Sequence, residues 1–357
     1  MPSSRLHRLP RLARLPRLAR LPRLARLPRL ARVALATLPI AVLGGLAAAP
    51  AHAQGVASAA DDASVDHGGR YVALGDSYAS GFGLPPYSKS PVPGCLQSSA
   101  DYPHRVAEEL ELELTDVSCS GAFAINVIDT PQKSAYGFMA PAQSDALSER
   151  TEVVTLHIGG NDLGFSTLLP QCLAASAAGP LLGDPTVPNC ESEFVPGGFD
   201  TLAWKLHNVV LPTVSAALEV IGEKAPFANV VLVGYPSIFP SPEDTPAGGC
   251  FVSLTGDGTE PFPENTFPFT DVDTAYFHRT QAAFEAGLGQ IAAKHGATYV
   301  AAMAGSAGHE PCANNPDAWV NGLTLTTPPK VRDGGLHPNE AGVAFLAEQV
   351  ASAVAGD

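Results

Sequence analysis

Five short apolar runs punctuate the chain: YVAL from residue 71, LTDVS from 114, EVVTLHIG from 152, NVVLVGYP from 229 and ATYVAAM from 297. All contain valine, and most are continuously apolar rather than alternating, as in strands buried on both faces. Elsewhere the hydrophobic period lengthens to that of a helix. Helices are expected over 102–114, with Asp101 as cap and Pro103 in the first turn, and over 201–224, 273–295 and 338–354. Strands alternating with helices predict an α/β protein with a parallel sheet covered on both faces. Proline- and glycine-rich inserts at 84–95, 164–199 and 236–269 read as long surface loops, each holding or adjoining a cysteine. Loops of that length within a domain are often functional. No linker interrupts residues 70–357, which are expected to form a single domain.

The N-terminal part follows a different pattern. LPRLAR occurs four times between Leu9 and Arg32, with ten arginines and no acid up to that point. A proline in every unit excludes a continuous helix. The apolar run Val33–Ala49 and the small-residue sequence Ala51-His52-Ala53 then complete the pattern of a secretory signal over residues 1–53. A permanent anchor is the alternative. The run is short of the roughly 20 residues of a span, and Pro39 interrupts it. Residues 54–69 are small, polar and acidic, and read as a flexible leader.

Removing the signal changes the charge. All 35 acidic residues follow Ala53 but only 11 of the 21 lysines and arginines do, so residues 54–357 carry a formal −24. Such a surface repels nucleic acid and anionic headgroups. No nucleic-acid partner is expected, and no stable membrane span once the signal is cut. The six cysteines behind a secretory signal imply disulfides. Fifteen pairings are possible, and the sequential one is the simplest: Cys95–Cys119, Cys172–Cys190 and Cys250–Cys312. None has CxxC spacing, so no metal role is expected of them.

In open parallel sheets, sites form at the carboxyl ends of the strands. Gly75-Asp76-Ser77 follows the first run, Cys119-Ser120-Gly121-Ala122 the second and Gly159-Gly160-Asn161-Asp162 the third. Gly334-Gly335-Leu336-His337-Pro338-Asn339 lies between the fifth run and the last helix. Together they offer a hydroxyl, a glycine N–H, a carboxamide and an imidazole. Ester hydrolysis needs these parts, because a serine requires a base and the tetrahedral intermediate requires donors for its oxyanion. Each also has an ordinary role. A serine after a strand commonly caps a helix, Gly121 suits a turn, Asn161 could cap a helix, and His337 stands at a helix start. Asp76 and Asp162 read as turn and cap acids, and His157 as a hydrogen-bonded core residue. A non-enzymatic flavodoxin-like binder with phosphate at the Gly75–Ser77 turn would account for the first block but not for Asn161 and His337.

Taken in order, GDSY, SGA, GGND and LHPN resemble the four blocks of the SGNH hydrolases, also called GDSL esterases and lipases, in their secreted, three-disulfide actinobacterial form. The resemblance runs from about Tyr71 to the C-terminus. It implies a flavodoxin-like three-layer α/β/α sandwich of about five parallel strands, and acyl-enzyme chemistry without a cofactor. Carried over, Ser77 is the nucleophile and His337 the base. The oxyanion donors are the N–H groups of Ser77 and Gly121 and the side chain of Asn161. The family usually places an aspartate three residues before the histidine. That position is Gly334 here, and Asp333 lies one residue earlier. The Gly334 carbonyl is therefore expected to orient His337, with Asp333 as the alternative, and the imidazole to keep a pKa of about 6.5. The expected substrate is a lipid or fatty-acyl ester, a carbohydrate or xenobiotic acetyl ester being the alternative. Apolar residues at 82–87, with Phe165, Leu168 and Leu169, are candidates for an acyl pocket. A secreted monomer is expected.

Overall fold

The computed structural model describes residues 69–356. The expected signal (1–53) and all but the last residue of the expected leader (54–69) lie outside the described residues. The five apolar runs form one parallel sheet: β1 (Arg70–Gly75), β2 (Glu113–Asp116), β3 (Val153–His157), β4 (Asn229–Val233) and β5 (Thr298–Val300). Their order is β2-β1-β3-β4-β5, every neighbouring pair parallel. This is the flavodoxin-like order, with the switch point between β1 and β3.

Strand residues alternate between two cores, which is why the runs are apolar throughout. Tyr71, Ala73, Val153, Val231 and Val233 pack with helix α1 (Tyr102–Glu109) and helix α4 (Glu340–Ala355) through Tyr102, Val106, Leu346 and Val350. Val72, Leu74, Val154, Leu156 and Leu232 face the opposite layer. There α2 (Leu211–Lys224) and α3 (Asp271–His295) contribute Val214, Leu218, Phe284 and Leu288. Each fully buried side chain of this size is worth about 1.5–3 kcal/mol, so both layers are held by ordinary apolar burial.

The helices differ from expectation at their ends. Helix α1 stops at Glu109 rather than running to 114, because Glu111 takes a left-handed φ of +53° and turns the chain into β2. The expected helix over 201–224 begins at Thr201, but widens to a π-turn over Leu206–Val210 before α2. Pro212 has no N–H to offer the preceding turn, and a local change of hydrogen-bond spacing accommodates it. Helix α3 begins at Asp271, where Thr270 Oγ1 accepts the Asp273 N–H at 2.9 Å.

The inserts carry little regular structure and are tied by disulfides. Cys95 joins Cys119, Cys172 joins Cys190 and Cys250 joins Cys312. The first fastens one insert to the loop after β2, and the second closes the 164–199 insert on itself. Among the described residues no helix is long and apolar enough to cross a membrane.

Candidate active site

The turn after β1 is built against the end of β3. Gly75 has φ +153°, and a Cβ there would lie 2.5 Å from the His157 carbonyl oxygen. Only glycine permits that approach. The Asp76 N–H then donates to His157 O at 3.0 Å. Buried Gln143 grips Gly75 on both sides, accepting from its N–H at 2.7 Å and donating to its carbonyl at 2.9 Å. The strand thus ends abruptly and leaves Ser77 at the carboxyl edge of the sheet. Its Oγ lies 2.8 Å from His337 Nε2.

The loop carrying His337 corrects the sequence expectation. His337 Nδ1 lies 2.9 Å from the carbonyl oxygen of Gly335, not of Gly334. The Gly334 carbonyl faces away and accepts from the His337 N–H and from Asn321 Nδ2, both at 3.1 Å. Asp333 makes no bond to the ring either. Its carboxylate is 54 % exposed and pairs with Lys330 at 3.2 Å. A carbonyl can only accept, so Nδ1 carries the proton and Nε2 is left as the acceptor for the Ser77 hydroxyl. In that geometry the ring can take the hydroxyl proton.

Asn321, which the sequence did not point out, braces this loop with three bonds. Its N–H donates to His337 O, its carbonyl accepts from the Leu336 N–H, and its side chain reaches Gly334 O. Leu336 is held at a left-handed φ of +58°, and Tyr78 donates to its carbonyl. The rings of Tyr78 and Phe82 lie 4.8 and 5.0 Å from that of His337. Desolvation by these walls pulls the imidazole pKa down to about 4, against the raising effect of the Gly335 carbonyl. The expected value near 6.5 is therefore not what this pocket produces.

Asn161 follows β3 on a short turn, Gly160–Leu163. Its Nδ2 donates to the Ala122 carbonyl at 3.0 Å, which leaves the second amide N–H available. The neighbouring Asp162 accepts the Ala124 N–H at 2.9 Å and so caps the short helix after Gly121. These two bonds hold the GGND turn to the SGA loop. Gly121 takes φ +82°. Its N–H and that of Ser77 make no hydrogen bond among the described residues. Gly121 does not line the cavity described below.

Beneath the turn lies a network that the sequence reading missed. Asp76 is buried and accepts from the Tyr78 N–H at 2.9 Å and from the Tyr235 hydroxyl at 2.6 Å. The same hydroxyl accepts from the Gly160 N–H at 2.9 Å. Burial raises the Asp76 pKa to about 7, with the Tyr235 bond opposing it. His157 is in the core as expected, but neither of its ring nitrogens has a hydrogen-bond partner. It is packed among the rings of Tyr78, Tyr102 and Tyr235. Burial lowers its pKa to about 3, so it is neutral.

Ser77, Asn161 and His337 open onto one cavity of about 290 Å³. Its far wall is apolar and comes from three stretches: Phe165, Leu169 and Leu173 from the second insert, Ile238 from the third, and Leu323 and Val331 from the segment before His337. Of the residues expected there, Phe82, Phe165 and Leu169 take part. Leu168 and residues 83–87 do not. Leu323 and Val331 lie in a stretch without regular pattern, and nothing in the sequence marked them.

A sequence profile described as the GDSL-like lipase/acylhydrolase family matches residues 73–345. The chain is 32 % identical over 280 residues to lipase 2 of Streptomyces coelicolor, covering 78 % of this chain and 83 % of that one. It is 29 % identical to an esterase of Streptomyces scabiei, covering 79 % and 85 %. Among solved structures it is similar to phospholipase A1 from Streptomyces albidoflavus, with a TM-score of 0.59, 26 % identity, and 80 % and 99 % of the two chains covered.

Proposed function

Because this chain belongs to the GDSL-like lipase/acylhydrolase family, and is thus an ester hydrolase, we propose that Ser77 and His337 form its catalytic pair and that fatty-acyl esters are its substrates. His337 Nε2 takes the Ser77 proton as Oγ attacks the ester carbonyl. The oxyanion is met by the Ser77 and Gly121 N–H groups and the free amide N–H of Asn161. The imidazolium then protonates the leaving alcohol. Water, activated by the same ring, releases the acid. The Gly335 carbonyl fixes the tautomer throughout.

The observation that carries the acyl preference is the shape of the cavity. At about 30 Å³ for each water-sized group, 290 Å³ holds about ten non-hydrogen atoms against apolar walls. An acetyl group would leave most of it empty, which weighs against the deacetylase reading. Three disulfides support secretion. The pair, the amide and the pocket all come from one chain, which supports action as a monomer.

The test is Ser77→Ala with a series of p-nitrophenyl esters from acetyl to palmitoyl. We expect the wild type to prefer acyl chains well beyond acetyl. The variant should lose activity by several orders of magnitude with an unchanged circular dichroism spectrum. A serine-directed phosphonate should label Ser77 alone. Near-normal turnover by the variant would refute the assignment, and a preference for acetyl would refute the substrate class.

A further inference from the structure

A second group of ionisable side chains lies at the carboxyl end of β2, apart from the Ser77–His337 pair. Asp101 caps α1 and is fully buried, and Asp116 ends β2. Asp101 Oδ1 accepts from the His104 N–H at 2.9 Å and lies 2.7 Å from His104 Nδ1. Asp116 Oδ1 accepts from the N–H and hydroxyl of Ser118 at 2.9 and 2.7 Å. The second oxygen of each carboxylate is buried and has no partner. Gln97, 2 % exposed, brings its carboxamide to the same place. Its Nε2 donates to the Asp116 carbonyl at 2.9 Å, and its Oε1 is also buried without a partner.

Buried polar atoms are normally satisfied, and leaving one unsatisfied is costly. Here Asp101 Oδ2, Asp116 Oδ2 and Gln97 Oε1 are each buried without a donor. One ligating atom from each of Asp101, His104 and Asp116 lies within 4.8 Å of the others. That separation suits a shared ion, since two Ca²⁺–oxygen bonds of about 2.4 Å span it. Two carboxylic groups face one imidazole there.

We propose that Asp101, Asp116 and His104 form a divalent-cation site, with the Gln97 side chain held against the Asp116 backbone at its edge. Carboxylate oxygens select oxygen-preferring ions such as Ca²⁺ and Mn²⁺. The site is structural. It ties the start of α1 to the end of β2, just ahead of the disulfide at Cys119 and the loop of Gly121.

The test uses full-length protein stripped with EDTA and titrated calorimetrically with Ca²⁺ and, separately, Mn²⁺ at pH 7.5 and pH 5. We expect one equivalent of at least one of the ions to bind at pH 7.5 and to raise the melting temperature by several degrees. At pH 5 the affinity should fall at least tenfold, because protons compete for the ligands. Asp116→Asn and the half-exposed His104→Gln should each weaken binding at least tenfold, with ester turnover reporting that the variants are folded. Absence of binding by either ion at millimolar concentration would overturn the proposal and leave a proton shared between the carboxylates. Binding of undiminished affinity in a folded His104→Gln and Asp116→Asn pair would overturn it too, as an adventitious surface ion.

Discussion

Gly334 and Gly83 meet backbone to backbone: a Cβ on Gly334 would lie 2.6 Å from Gly83 Cα, and one on Gly83 would lie 2.7 Å from Gly334 Cα. Both take positive φ, +86° and +110°. This contact joins the loop after β1 to the loop that carries His337. It also explains why the position three residues before the histidine is not an aspartate. A side chain there would separate the two loops that bring Ser77 and His337 to 2.8 Å.

Gly334→Asp should therefore not improve a catalytic triad. The left-handed φ alone costs about 1–2 kcal/mol for a residue with a Cβ, and the clash adds to it. We expect a lower melting temperature and a loss of kcat of at least about tenfold, the size of effect that slight misplacement of a reacting group can produce. A variant as active as the wild type, with unchanged melting temperature, would show that the loops move apart freely.

Asp333→Asn should be nearly silent. The carboxylate is solvent-exposed, pairs with Lys330 and does not reach the imidazole. Exposed ion pairs of this kind are worth about 0–1 kcal/mol. We expect kcat within about twofold of wild type, against the roughly 10⁴-fold loss when an orienting aspartate is replaced in a triad. A loss of thousands-fold in steady-state turnover would return the orienting role to Asp333.

The parts of this structure that the sequence made legible are those with a local signature. Continuous valine-rich runs marked all five strands because both faces of the sheet are buried. Ser77, Asn161 and His337 stood out because each follows a strand or precedes a helix in a short motif. The orienting carbonyl did not, since the choice between Gly334 and Gly335 depends on the positive φ of Leu336 and on bonds from Asn321, more than ten residues away. Tyr235 looked like the end of a strand. Its role arises from a hydroxyl that meets Asp76, 159 residues away in the chain. The early end of α1 at Glu109 likewise came from one left-handed residue within a helical pattern.

The pH dependence should reflect the desolvated histidine. The proposed base, His337, is competent when neutral, and burial lowers its pKa to about 4. The competent form therefore persists as pH falls below 6.5. We expect kcat/KM to stay near its plateau at pH 5.5 and to fall only as pH drops through about 4. For stability the sign is the same. A histidine whose folded pKa is depressed contributes stability that is present above its unfolded value of about 6.5, and is lost as pH falls from there towards 4. His157, lowered to about 3, adds in the same direction. A pH–rate profile with its acid midpoint between 6 and 7 would show that water in the pocket cancels the desolvation.

The last prediction concerns Tyr235, whose hydroxyl joins Asp76 Oδ2 at 2.6 Å to the Gly160 N–H at 2.9 Å. Asp76 precedes Ser77, and Gly160 precedes Asn161, so one hydroxyl sets the spacing between the proposed nucleophile and a proposed oxyanion donor. Tyr235→Phe removes it with little change in shape. The Gly160 N–H and one Asp76 oxygen are then left buried without a partner, at about 1–3 kcal/mol for each unsatisfied group. Asp76 also loses a bond that opposes the effect of burial, so its pKa moves further up and the acid form predominates at neutral pH. The ester group and acyl chain touch neither lost bond, so KM should hold within about twofold. The oxyanion contact should loosen, and kcat should fall by about tenfold, less than the roughly 10²–10³-fold expected when a donor is removed outright, as in Asn161→Ala. Steady-state kinetics beside a thermal melt distinguishes the roles. A lower melting temperature with unchanged kcat would mean that Tyr235 only supports the fold, whereas a fall in kcat at constant KM would identify it as the residue that positions the oxyanion turn.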